Sequence, residues 1–104
     1  MKIIIDIQLP ETNLKTICVT DSSFFVEEDG DKVILKTKEE DRFNTMIGLF
    51  GCRNSWEKNS LENPTYRVTF IDNFEEVYDF DNSPDNWNMF MGYLEKLLGD
   101  SYGL

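Results

Sequence analysis

Oxygen-bearing side chains recur at alternate positions in Asp79-x-Asp81-x-Ser83-x-Asp85, the spacing with which a calcium loop begins. The pattern breaks where such a loop is least tolerant. Its sixth position must be glycine, to turn the chain sharply, and its twelfth a bidentate glutamate, but Pro84 and Phe90 stand there. The same residues fit a helix start better, with Ser83 as cap, Pro84 at the first helical position and Asp85 near the positive end of the dipole. No metal site is expected.

Histidine is absent altogether, which removes the commonest general base and rules out Ser-His-Asp and Cys-His catalysis and His-ligated zinc. Carboxylates are plentiful, yet acid and base work needs two of them in unlike environments. Runs such as Glu39-Glu40-Asp41 and Glu75-Glu76 read instead as solvated faces and turns. The chain carries no Gly-rich phosphate loop, no Gly-x-Ser-x-Gly elbow and no Walker lysine. A non-enzymatic protein without a cofactor is the expectation. Cys18 and Cys52 stand far apart with no Cys-x-x-Cys spacing, and the N-terminal apolar run is broken by Asp6 and ended by Pro10, so it does not read as a signal peptide. Two reduced thiols and a cytoplasmic location are expected.

Charge is the feature that points outward. Twenty Asp and Glu against ten Lys and Arg give a formal net charge of −10, which argues against direct contact with nucleic acid or an anionic membrane and for a basic protein partner. The excess is uneven. Between Val68 and Glu95 there are seven acids, Asp72, Glu75, Glu76, Asp79, Asp81, Asp85 and Glu95, and no Lys or Arg. A second cluster, Glu27, Glu28, Asp29 and Asp31, has only Lys32 beside it. One reading is solubility alone. The other is a surface whose carboxylates imitate phosphates and meet the Arg and Lys that would otherwise grip a nucleic acid backbone.

These residues need elements to hold them. Lys2 to Leu9 alternates with the period of two that a half-buried strand requires, Pro10 stops it, and Glu11-Thr12-Asn13 fits a connection to a second strand over Leu14 to Thr20. Phe24 to Glu27 and Lys32 to Lys36 flank Asp29-Gly30, the turn pair with the positive backbone angles of a tight hairpin. Thr37-Lys38-Glu39-Glu40 fits a capping box for a helix over 39 to 50, with Phe43, Met46, Ile47 and Phe50 as its apolar stripe and Gly51 as its stop. A polar connector from Cys52 to Pro64 follows. Tyr66 to Ile71 and Glu76 to Phe80 form a further hairpin around Asp72-Asn73. The helix capped by Ser83 then places Trp87, Phe90, Met91, Leu94, Leu97 and Leu98 on one stripe until Gly99. The tail from Asp100 through Tyr102 to Leu104 is expected to fray.

The order predicts a single domain over 1–104 of α+β class, with an antiparallel sheet of five to six strands and two helices packed on one face. No apolar stretch approaches the ~20 residues of a membrane span. Trp56, inside the polar connector, has two readings that stay open: a plug at the edge of the core, or an exposed anchor for a partner.

In size, charge and element order, and in the acid-rich segment Ile71-Asp72-Asn73-Phe74-Glu75-Glu76-Val77-Tyr78-Asp79-Phe80-Asp81 with the acidic tip at 27 to 31, the chain resembles the small acidic anti-CRISPR proteins of phages and mobile elements that act on Cas9. The resemblance implies a non-enzymatic inhibitor that occupies a basic groove of the nuclease and excludes guide RNA or target DNA. The partner-binding residues expected are Asp72, Glu75, Glu76, Asp79, Asp81, Glu27, Glu28, Asp29, Asp31 and Trp56. The alternative is an immunity protein that neutralises a basic nuclease toxin by capping its active site, with Trp56 at the centre.

Overall fold

The computed structural model describes residues 1–8, 14–57, 60–81 and 83–99. Strands β1 (Lys2–Ile7), β2 (Leu14–Thr20), β3 (Phe24–Glu28) and β4 (Asp31–Leu35) precede helix α1 (Glu39–Cys52) and a single 3-10 turn, Arg53–Ser55. Strands β5 (Tyr66–Ile71) and β6 (Glu75–Phe80) and helix α2 (Pro84–Leu98) complete the chain. The six strands form one antiparallel sheet in the order β4-β3-β2-β1-β5-β6. The α+β class, the antiparallel sheet and both helices agree with the sequence reading. The expected connection at Glu11-Thr12-Asn13, the stop at Pro10 and the tail lie outside the described residues.

Alternation sorts the strands onto two faces. Ile3, Ile5 and Ile7 of β1 sit opposite Phe70, Val68 and Tyr66 of β5, and Ile3 and Ile5 also face Val19 and Ile17 of β2, all of them buried. Both helices lie on this face. Tyr66 stacks on Trp87 at 5.3 Å between ring centroids and meets Phe90 edge-on, while Phe50 of α1 meets Phe70 edge-on at 5.6 Å. Burying side chains of this size contributes about 1.5–3 kcal/mol each, which makes this layer the main source of stability.

The hairpin turn follows its sequence. Asp29 and Gly30 both have positive φ, +46° and +87°, the twist a two-residue hairpin needs. Ser83 caps α2 as expected, its hydroxyl accepting from the Asn86 amide at 3.2 Å, with Pro84 in the first turn and Gly99 at positive φ beyond the end.

Helix α1 departs from expectation at both ends and in its rotation. Its N-cap is Lys38, and no side chain caps it. The Thr37 hydroxyl and carbonyl instead accept from Arg42 Nη1, at 2.9 and 2.8 Å, so the arginine captures the group that a capping box would have used. The helix also passes through Gly51 to Cys52 and runs into the 3-10 turn, because the backbone there stays right-handed. Of the expected stripe, Met46 is buried and Phe50 half-buried, but Phe43 and Ile47 are 59% and 54% exposed. The crossing with α2 decides this rotation. A Cβ on Gly48 would lie 2.6 Å from a Tyr93 ring carbon, the Thr45 hydroxyl donates to the Tyr93 carbonyl at 3.1 Å, and the Tyr93 hydroxyl bonds to Cys52 Sγ. Only the face carrying the small residues Thr45, Gly48 and Cys52 admits this tyrosine.

Gly48→Val therefore pushes the helices apart or forces the ring out of its place. The expected cost is about 1–3 kcal/mol, read as a lower midpoint in thermal or urea unfolding, while Gly92→Ala on α2, where an added Cβ meets nothing within 4 Å, is neutral or slightly stabilising.

Candidate functional site

Antiparallel pairing places the two acidic clusters at diagonally opposite corners of the sheet. The β3–β4 turn lies at the end of the sheet where β1 finishes, because Glu28 pairs with Asp31 and Leu14, whereas the β5–β6 turn lies where β1 begins, since Ile71 pairs with Lys2 and Glu75. Five strand intervals separate the two edges, about 24 Å at the usual ~4.8 Å spacing. The clusters thus form two separate acidic corners and no single stripe. At the first corner Glu27, Asp29 and Asp31 are exposed and Glu28 is half-buried.

The acids of β6 are divided further. Asp72 and Glu75 are exposed at the turn. Glu76 points to the helix face, where its carboxylate accepts from the Tyr78 hydroxyl at 3.0 Å and lies 3.5 Å from Arg53 Nε. Asp79 leaves the expected partner surface: it is 3% exposed and already fully bonded. Its Oδ1 and Oδ2 accept from Arg67 Nε at 2.7 Å and Nη2 at 3.1 Å, and Oδ2 also accepts from the Leu61 amide at 3.0 Å. The hydrogen bonds from Arg67 hold the Asp79 carboxyl below its ordinary pKa, against the opposing effect of burial. Asp81 is exposed at the far end of β6, its Oδ1 accepting from Asn86 Nδ2 at 3.0 Å. Of the oxygen ligands suggested by the calcium-like spacing, Asp79 is committed to Arg67 and Leu61, and Asp81 and Ser83 to Asn86, and among the described residues no three acidic or thiol side chains converge on one point.

Sequence order hid the neutralising partners. The stretch from Val68 to Glu95 lacks a basic residue, but Arg67 reaches Asp79 across the β5–β6 ladder and Arg53 comes over from the 3-10 turn to Glu76. What stays free at this corner is Asp72, Glu75 and one aromatic ring.

That ring is Phe74, 73% exposed at the tip of the turn. It borders a notch of about 90 Å³ walled by Phe50, Phe70 and Arg53 and rimmed by Asp72 and Glu76. Arg53 Cζ lies 3.8 Å from the Phe50 ring centroid, so cation–aromatic contact is already part of the wall. A lysine or arginine side chain entering here finds an aromatic surface for its stem and the Asp72 carboxylate for its head. Phe74 was missed in the sequence reading, although a lone aromatic in Asp72-Asn73-Phe74-Glu75 has no alternating partner that would carry it into the core.

Trp56 takes the first of its two readings. It is half-buried, with ring centroids 5.3–5.9 Å from those of Phe80, Tyr78 and Phe70 and 6.2 Å from that of Phe90. It closes the core beside β6 and does not stand exposed as an anchor. The connector is pinned on either side, by the Trp56 amide to the Arg53 carbonyl at 3.1 Å and by the Thr65 amide to the Phe80 carbonyl at 3.0 Å.

Two measurements follow. Trp56→Ala is expected to cost about 3 kcal/mol, the range for losing a packed aromatic, and to appear in urea unfolding. The Asp79–Arg67 pair predicts the acid limb of stability. Asp79 has a folded pKa depressed from 3.8, so its contribution is complete above that value and is lost as pH falls through the lower folded pKa. Asp79→Asn should lower stability at neutral pH and make it less steeply dependent on pH below 4 than in the parent, which parallel unfolding curves at pH 7 and pH 3 would check.

No protein-family model matches this chain, and neither the curated proteins nor the solved structures compared with it include a similar one.

Proposed function

We propose that this protein is a non-enzymatic inhibitor that lays its β5–β6 corner into a basic, nucleic-acid-binding groove of a nuclease, with a Cas9-type enzyme as the first partner to test. The observation that supports this reading is exposed Phe74 beside exposed Asp72 at an aromatic notch, with exposed Glu75 next along the turn towards the other face of the sheet. Grooves that bind nucleic acid present Arg and Lys at phosphate spacing. An incoming cation gains the Asp72 carboxylate and a ring face at once, and water is displaced from an aromatic surface as it does so.

The net charge of −10 supports it from a distance. A small protein with that field is drawn to a positive channel faster than a neutral one, and the attraction is screened as salt rises. The second corner, with Glu27, Asp29 and Asp31, lies about 24 Å across the sheet, far enough to engage a different part of a wide groove. Asp79 has no part in this contact, because its carboxylate is held by Arg67.

The test is co-elution of the purified chain with Cas9, with and without guide RNA. A complex is expected that weakens between low and high salt. Asp72→Lys with Glu75→Lys should weaken it by at least about tenfold, as reversal of paired interfacial charges does, and Phe74→Ala should do so without changing the salt dependence. Absence of a complex in both conditions removes the Cas9 reading, and a complex indifferent to both variants moves the contact away from this corner.

A further inference from the structure

Among the described residues the helices cover one face of the sheet, and the other carries a continuous cross-strand row, with the Leu61 amide bonded to Asp79 at one corner. In register it runs Ile34 (β4), Phe25 (β3), Cys18 (β2), Ile4 (β1), Thr69 (β5) and Val77 (β6), one residue from every strand. Its two ends are the most open, Ile34 at 70% and Val77 at 38% exposure, whereas Cys18 and Thr69 lie low between their neighbours. Burial pushes the Cys18 thiol up, and Lys2 and Lys32 on the same face offset part of that. Lys32 Nζ sits 4.0 Å over the Phe25 ring.

This face is also where the molecule's charge balances. Lys2, Lys32 and Arg67 share it with Asp6, Glu27, Glu75 and Asp79, and Lys36, just past β4, has the parity of Ile34. A chain of net charge −10 therefore offers one surface on which another copy meets no local excess of acid.

We propose that this face joins two copies of the chain in a two-fold, face-to-face sheet pair whose axis runs along the strands. Such an axis sets β4 over the partner's β6, β3 over its β5 and β2 over its β1. Glu27 then meets the opposing Arg67, Thr16 the opposing Asp6, Lys36 the opposing Glu75 and Ile34 the opposing Val77. The first three places set a charge against an opposite charge or a hydroxyl, and the fourth sets two apolar side chains together. At one corner of β6 the connector backbone at Leu61 bonds to Asp79, so Lys32 faces that capped corner and takes no pair there. The other in-plane two-fold sets each strand over itself reversed, with Lys32 over Lys36, and is repulsive at the β4 edge. Six strands at ~4.8 Å and six residues at ~3.3 Å bound the footprint at roughly 600 Å² per copy, and with the capped corner left out the pair buries somewhat under ~1,200 Å², the size of a weak, reversible interface. Aligned packing of two twisted sheets accommodates this arrangement.

The dimer would share Glu75 and Glu27 with the surface offered to a nuclease, but it needs no nuclease to form, so sedimentation velocity of the full chain alone over a concentration series tests it separately. A concentration-dependent dimer is expected. Ile34→Asp, at an exposed position, should raise its dissociation constant at least about tenfold. Lys36→Glu and Glu75→Lys should each raise it about fivefold, while the double variant Lys36→Glu/Glu75→Lys returns it towards the parent, a rescue peculiar to this axis. Circular dichroism spectra and melting curves matching the parent show that each variant is folded. A monomer throughout the concentration range overturns the proposal. So does a dimer that survives Ile34→Asp, or one that is dissociated instead by Phe43→Asp/Ile47→Asp on α1.

Discussion

Pairing of β1 with β5 is the contact on which the rest of the structure depends. Every other strand pair joins neighbours in the chain, so each forms by closing a short connection, whereas β1–β5 brings residues 2–7 against 66–71. Without it the chain would be a four-stranded meander and a separate hairpin. With it, Ile3, Ile5 and Ile7 become the middle of one apolar floor, and Tyr66 and Phe70 are carried to the helices that stack on them. The entropy of closing so long a loop is repaid by that aromatic layer, in which Trp56, Phe80 and Phe90 take part from three further segments.

The same pairing decides where the acids go. It makes β4 and β6 the two edges of the sheet, and antiparallel direction sends their turns to opposite ends. A partner approaching either edge therefore meets one compact acidic corner. Within the corner at β5–β6, electrostatics is settled by long-range neighbours: Arg67 takes Asp79 and Arg53 takes Glu76, leaving Asp72, Glu75 and the ring of Phe74 outward. A buried carboxylate with two guanidinium bonds and a backbone amide is a structural tie, and its charge adds nothing to the field outside.

Much of the fold was legible along the chain because its signals are local. The Asp29-Gly30 turn, the Ser83-Pro84 cap and the alternation in β1 each depend on residues within a few positions of one another, and all three appear as read. Helix α1 was read with the right start but without its last two residues, and with the wrong rotation. Its apolar residues allow more than one buried stripe, and the choice is made by Tyr93, forty-five residues after Gly48, which fits only against a position without a side chain. The candidate site was legible as an acid-rich region and not as an arrangement, since a run without Lys or Arg in sequence says nothing of the arginines that pairing brings beside it.

The sequence by itself determined the class of the protein: an α+β domain of strong negative charge, without histidine and therefore without the chemistry histidine supplies, its strands and helices punctuated by turns and caps of local origin. Only the tertiary structure decided which acids face outward, that Trp56 closes the core while Phe74 stands exposed, and that one sheet face is left with an apolar row and balanced charge. The reason is the same in each case. Secondary structure answers to neighbours a few residues away, whereas exposure, pairing and field are set by what lies close in space, and in this chain the closest partners are brought together by strand register and helix crossing.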